Sequence, residues 1–298
     1  MTASSTVRKP LKSFAWACLA PLAILMAPVS ASAGLLLQYN FEEGAGTTTS
    51  SSTANTAPLT LGGGAAFGAE GTGVSNTGRA LSLPDAGNFS DNRAHTSTAA
   101  DIASLNGSTS YTISGWFNRS VAGGGSGRII QVSSSSGAGF YLANSGATAL
   151  QFQTRNAGNT ANVDAFSSGT SQQYYDDVNS YVFIAVTVDT TATSNQVKFY
   201  EGTEGNAVRF VSQNSFAANT LATLGTLSTL TLGNTQDFNR SFGTGRLDDI
   251  RFYGETSGST GALSLVSLEE VRAAAVPEPA SLGLLAMGAL PLLRRRSR

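Results

Sequence analysis

Tyr181-Val182-Phe183-Ile184-Ala185-Val186-Thr187-Val188-Asp189 alternates with a period of two. Val182, Ile184, Val186 and Val188 share one face, and β-branched residues at that spacing predict a strand with a buried side. Tyr181, Phe183 and Ala185 lie on the opposite face, which is therefore expected to be at least half covered. Shorter runs of strand character surround this segment, at 35–41, 58–61, 79–83, 111–117, 128–133, 139–143, 149–154, 196–200, 207–211, 229–232 and 246–253. Glycine and small polar residues separate them, as in an antiparallel sandwich or barrel. Helical periodicity is nearly absent. One short helix is predicted, with Ser267 at its N-cap, Glu270 three residues on as a capping box, and Pro277 as the stop. The Gly/Ser stretches at 44–56, 121–127 and 133–139 read as loops of one sandwich rather than as linkers.

The chain has 298 residues, 33 of them Gly, with one Cys and a formal net charge of −1. Only 12% of residues are charged, about half of the typical ~25%, which argues against a nucleic-acid footprint or a charge-driven disordered tail.

The ends differ in character from the middle. Arg8-Lys9-Pro10-Leu11-Lys12 leads into an apolar run and then Ala31-Ser32-Ala33. That order predicts a secretory signal peptide over residues 1–33, cleaved after Ala33. The only cysteine, Cys18, lies inside it, so the exported body has no disulfide, thiol nucleophile or Cys-metal site. At the other end, Pro277-Glu278-Pro279 precedes an apolar segment and then Arg294-Arg295-Arg296-Ser297-Arg298. The apolar run is about 14 residues, short of the ~20 of a stable span, which suits a transient stop in the inner membrane with the arginines on the cytoplasmic side. Residues 276–298 resemble the PEP-CTERM sorting signal in motif, spacing and basic end. The resemblance implies a Gram-negative source, processing by an exosortase and the secretion machinery, and delivery to the cell surface or an extracellular polysaccharide matrix. Without both ends the body carries 11 Lys and Arg against 18 Asp and Glu, a net charge of −7.

Within the body, five segments stand in order. They are Leu37-Gln38-Tyr39-Asn40-Phe41-Glu42-Glu43-Gly44, Gly78-Arg79-Ala80-Leu81-Ser82-Leu83, Tyr111-Thr112-Ile113-Ser114-Gly115-Trp116-Phe117, Lys198-Phe199-Tyr200-Glu201-Gly202, and Gly245-Arg246-Leu247-Asp248-Asp249-Ile250-Arg251-Phe252-Tyr253. Together they resemble a laminin-G-like domain of the concanavalin-A-like lectin/glucanase superfamily over residues 34–275. The resemblance implies an all-β fold, a two-sheet antiparallel jelly-roll sandwich whose first and last strands are neighbours.

Strict alternation in 246–253 puts Asp248 with Ile250 and Phe252 on the inward face, and Glu43 shares a side with Tyr39 and Phe41. Buried unpaired carboxylates are costly. If the terminal strands are adjacent, Glu42, Glu43, Asp248 and Asp249 could meet and hold a structural Ca²⁺ with carbonyls of the 44–47 turn, since calcium takes six to eight oxygens. In the alternative, Asp248 or Asp249 pairs with Arg246, Arg251 or Arg79, or caps a loop through backbone amides.

Catalysis has little support. The Glu-x-Asp-x-x-Glu strand of the glucanases that share this sandwich does not occur, and Glu201-Gly202-Thr203-Glu204 lacks its central Asp. The one histidine, His95, has neither a second His nor a Cys to form a zinc site or triad with. Sugar binding needs an exposed ring beside amides and carboxylates. The candidate rings are Trp116, the body's only tryptophan; Tyr174 and Tyr175, in a loop before the strongest strand; and Phe238. The expectation is thus an exported, noncatalytic surface or matrix protein whose partner is an exopolysaccharide or surface glycan. A structural or protein-adhesion module without a glycan site is the alternative, and an atypical glycan-cleaving enzyme the more remote one.

Overall fold

The computed structural model describes residues 33–276, apart from 85–91, 97, 121–126, 147–148, 156–160, 168–173, 176, 218–220, 222 and 236–239. The signal segment up to Ser32, the sorting tail from Pro277 and Phe238 lie outside the described residues.

Two eight-stranded antiparallel sheets face each other. The first sheet runs β14 (Arg209–Asn214), β13 (Val197–Thr203), β12 (Tyr181–Asp189), β7 (Ser110–Arg119), β16 (Gly245–Glu255), β5 (Leu81–Leu83) and β4 (Ala66–Phe67). Beside β16, on the edge it shares with β5, lies β1 (Gly34–Tyr39). The second runs β11 (Ala161–Phe166), β10 (Ala149–Arg155), β9 (Gly139–Ser145), β8 (Arg128–Ser133), β15 (Thr229–Leu232), β6 (Arg93–Thr96), β3 (Leu59–Gly62) and β2 (Thr48–Thr49). The expected sandwich and the pairing of the terminal strands are both present, with Gly34 opposite Gly254 and Tyr39 opposite Ile250.

Val182, Ile184, Val186 and Val188 enter the large core between the sheets, with Leu37, Phe152, Leu232 and Phe252. The opposite face of β12 is covered rather than solvated. Phe183, Ala185 and Tyr181 join Trp116, Tyr200 and Tyr253 in a second apolar cluster closed by Leu268 and Val271 of helix α1 (Leu265–Ala274). Ala33 belongs to the same cluster, and Val276 packs against it. A strand buried on both faces carries apolar residues on both, which explains why Tyr181, Phe183 and Ala185 stand opposite the valine face of β12.

The helix begins three residues earlier than its predicted cap. Ser264 is the N-cap and accepts a hydrogen bond from Ser267 N at 3.1 Å, so Ser267 lies inside the first turn. His95 lies on β6, inside the second sheet between β15 and β3.

A bulge overturns the expected orientation of Asp248. Asp248 pairs with Trp116 and Arg251 with Ser114, with a register shift between them. Asp249 takes φ 46°, a left-handed conformation that Asp tolerates better than most residues. Asp248 therefore shares the outer face with Trp116 while Ile250 and Phe252 remain in the inner core. Gly115 makes room for the bulge, because a Cβ there would stand 2.4 Å from Ile250 Cδ1.

Candidate functional site

Trp116 is fully buried at 0% exposure and packs edge-on to Phe183, with ring centroids 5.5 Å apart. It is a core residue of the second cluster and offers no sugar platform. Tyr174 and Tyr175 differ in burial. Tyr175 is 1% exposed, donates its hydroxyl to Asn144 Oδ1 and lies beneath the Arg119 guanidinium, 4.1 Å from the ring centroid. Tyr174 is half-buried and keeps part of its ring at the surface.

Glu201 explains how the pair is held. Its carboxylate is almost completely buried, accepts the backbone N–H groups of Tyr174 and Tyr175 at 3.2 Å each, and pairs with Arg209. The Arg209 guanidinium also lies 5.5 Å from the Tyr174 ring centroid. One buried acid thus ties both residues to β13, with Tyr175 fully buried and Tyr174 partly exposed while still packing against the core between the sheets.

Tyr174 borders a cleft of about 490 Å³ at the rim of the first sheet, lined also by Asp177, Asn179, Tyr181, Glu204 and Arg246. The ends of four strands meet there: β7 supplies Asn118, β12 begins at Tyr181, β13 ends at Thr203 and β16 enters with Arg246. Tyr181 donates its hydroxyl to Thr72 O at 2.6 Å, and burial pushes its phenol well above the ordinary value. The cleft combines two aromatic rings, several amides, two carboxylates and a guanidinium, the donor and acceptor inventory that hydroxyl-rich ligands require. Of the sequence-predicted rings among the described residues, only Tyr174 lines it. Asn118, Asn179 and Asn206 were not singled out; an Asn in a turn ordinarily signals backbone geometry rather than binding.

The expected four-acid calcium set does not form. Glu43 is exposed and accepts from Ser50 N at 3.1 Å. Asp249 is held by Arg251 in a two-point ion pair at 2.8 Å and accepts from Gln38 Nε2 at 2.8 Å. Glu42 accepts from Arg79 N at 3.2 Å. Among the described residues no group of three or more His, Cys, Asp or Glu side chains gathers as a metal set.

A smaller oxygen set does converge on Asp248. Its Oδ2 accepts from Val74 N at 2.9 Å and its Oδ1 from Asp249 N at 2.8 Å. Burial, with the Asp249 and Glu42 charges adding to it, pushes this carboxyl up to about 7 against the two amide hydrogen bonds. A Cβ on Gly73 would stand 2.3 Å from Thr77 O, 3.0 Å from Arg79 O and 3.0 Å from Asp248 Oδ2. Thr77 O, Arg79 O and Asp248 Oδ2 therefore crowd the Cα of Gly73, a position that only glycine fits.

A profile of the concanavalin A-like lectin/glucanases superfamily matches residues 90–259, more than half of the chain. No curated protein sequence matches. Among solved structures, the chain is similar to the binding domain of botulinum neurotoxin DC, solved with rat synaptotagmin II, at a TM-score of 0.55 and 13% identity, covering 82% of this chain and 52% of that one. It is similar to domain 4 of AbnA, an extracellular arabinanase of Geobacillus stearothermophilus in complex with arabinotriose, at 0.54 and 16%, covering 81% and 99%. A structure of botulinum neurotoxin type C, described as dependent on two ganglioside molecules for cell entry, gives 0.55 and 14%, covering 82% and 51%. The chain thus spans about half the length of the neurotoxin domains, and likeness at these identities is likeness of fold.

Proposed function

Because the chain belongs to the concanavalin A-like lectin/glucanases superfamily, we propose that it is a noncatalytic binding module that holds polysaccharide in the cleft beside Tyr174. The observation that carries this reading is the pairing of a surface ring with amide, carboxylate and guanidinium groups in one cleft. Sugar C–H faces stack on rings while hydroxyls need directional partners, and Tyr174 with Asp177, Asn179 and Arg246 offers both. The arabinotriose complex of the AbnA domain and the gangliosides of the neurotoxin supply precedent on the same fold.

The proposal includes the destination. The leader over residues 1–33 and the tail with Pro277-Glu278-Pro279 would export the chain, hold it transiently at the inner membrane, and release it after exosortase processing to the cell surface or matrix. A structural Ca²⁺ held by Asp248 with the Thr77 and Arg79 carbonyls would neutralise the buried carboxylate and fasten the 72–79 loop to β16.

A glycan array probed with the intact chain tests the binding reading. Saturable binding that Tyr174→Ala removes without lowering Tm is expected. A blank array would favour a structural spacer, and release of reducing sugar from a bound glycan would overturn the noncatalytic assignment. Replacing Pro277-Glu278-Pro279 with alanines should leave the chain in the membrane fraction, and unchanged release would defeat the sorting reading.

A further inference from the structure

Helix α1 stops short of one end of the outer face of the first sheet. Arg272, in its last turn, donates from one guanidinium nitrogen to the Thr203 and Glu204 carbonyls at 2.8 and 3.2 Å, which fixes the helix against the end of β13. One outward row beyond the paired Trp116 and Phe183, Asn118 of β7 stands in register with Arg246 of β16 on one side and Tyr181 of β12 on the other. At the ~4.8 Å spacing of neighbouring strands this row spans about 10 Å, and all three residues line the cleft beside Tyr174. Leu247 enters the core between the sheets, so Arg246 meets the cleft from the opposite face of β16.

Arg246 stands apart from the paired arginines of the body. Arg79, Arg209, Arg251 and Arg272 are spent on Glu70, Glu201, Asp249 and Glu269. Among the described residues the half-buried Arg246 guanidinium has neither an ion pair nor a hydrogen bond. Acids are not scarce, since the body carries 18 Asp and Glu against 11 Lys and Arg. Two nearby carboxylates are engaged elsewhere. Asp248, two residues along β16, accepts from the amides of Val74 and Asp249 at 2.9 and 2.8 Å, and Glu204, which also lines the cleft, accepts from Ser75 N at 3.0 Å. Asp177 lies at an exposed position of the cleft. A guanidinium drawn partly out of water without a partner is a cost that the fold does not itself offset.

We infer that Arg246 is the specificity-determining residue of this cleft and that the polysaccharide it selects carries carboxylates, a polymer of the uronic-acid type. The inference rests on the reading of the cleft as a polysaccharide site and narrows it to one class of polymer. A guanidinium presents a planar fork of N–H donors that matches a carboxylate in both geometry and charge. A sugar hydroxyl would accept one of those donors but leave the charge unmatched. The part-exposed Tyr174 ring offers an apolar face to the pyranose that bears the acid, and the exposed Asn76 and Asn179 offer amides to its hydroxyls. With a body of net negative charge, long-range attraction does not supply the preference. Selection is therefore local, at the Arg246 fork.

The test is an array carrying oligogalacturonate, oligoglucuronate and oligomannuronate, each beside the neutral oligosaccharide made by reducing its carboxyl groups, with oligoglutamate as an acid that is not a sugar. It is probed with the intact chain. In at least one pair the acid is expected to bind about tenfold or more tightly than its reduced counterpart. Arg246→Gln should bring that ratio close to one at unchanged Tm, whereas Tyr174→Ala should weaken both members of the pair together. If no sugar binds, the polysaccharide reading of the cleft falls and the inference falls with it. Neutral sugars bound as well as acidic ones, or an acid preference that survives Arg246→Gln, would leave the cleft standing and overturn the inference alone. Oligoglutamate bound as tightly as the best uronate would also overturn it, because charge without a sugar ring would then suffice. Should Arg246→Gln melt early, Arg246→Lys supplies the readout, since it keeps the charge and loses the fork. Its acid preference must fall about threefold or more, and a parental ratio refutes the assignment.

Discussion

Asp248 sits directly opposite Trp116 on the paired strands β16 and β7, so a carboxylate shares the second apolar layer with an indole. The burial that pushes Asp248 up to about 7 has a definite pH consequence. A carboxyl that binds its proton more tightly folded than unfolded favours the folded state while protonated. In chelator, stability should therefore decline as pH rises from about 4 to about 7 and level off above. Asp248→Asn should flatten that slope in parallel melts; an identical slope in the variant would remove Asp248 as its source.

Calcium should reverse the decline. Binding the folded state alone raises Tm, and the gain should be larger at pH 8 than at pH 5 because the ligand must be ionised. Asp248→Asn should lose the increment. A melting temperature indifferent to both calcium and chelator would dismiss the cation.

Trp116→Ala should act on stability rather than on glycan recognition. Removing a fully buried indole costs roughly 3–5 kcal/mol, visible as a lower urea midpoint. Trp116→Phe, which keeps much of the contact with Phe183, should fold and bind glycan as the parent does.

The neighbouring tyrosines should separate cleanly. Tyr174→Ala is expected to remove binding at constant Tm, whereas Tyr175→Ala should cost about 3 kcal/mol because a buried ring and its bond to Asn144 are lost. Equal effects on binding and stability in both variants would contradict the inward and outward placement.

Glu201→Gln tests how Tyr174 is positioned. Loss of the charge that holds two backbone amides and Arg209 should loosen the 174–175 loop. Weaker glycan binding together with faster proteolytic nicking at that loop is expected, with a Tm loss smaller than that of Tyr175→Ala. Unchanged affinity would make Glu201 purely a packing residue.

The strands of the sandwich were largely legible because their β-branched and aromatic runs are bounded by turn residues, and β8, β12 and β15 have the predicted limits. What escaped depends on tertiary pairing. Two-residue strands such as β2 and β4 carry no pattern, and Arg93-Ala94-His95-Thr96 is polar yet lies between β15 and β3. Strict alternation gives Asp248 the wrong face because the bulge at Asp249 breaks it; two consecutive acids between Leu247 and Ile250 are the local hint of that bulge. At the site, the segment containing Tyr174 and Tyr175 could be found as aromatic loop residues, but their unequal burial depends on a backbone held by Glu201, distant in sequence.

The shared cluster of Ala33 and Val276 also bears on chain topology. With β1 paired to β16 and both ends of the described body in one apolar layer, the order in which the strands are strung is separable from the way they pack. A circular permutant, closed by a short linker between residues 33 and 276 and reopened at the turn 191–195, would keep every strand pair and both cores. The cleft beside Tyr174 would keep its place while the tethering point moved between β12 and β13, making the sandwich a scaffold whose attachment can be redesigned independently of its rim.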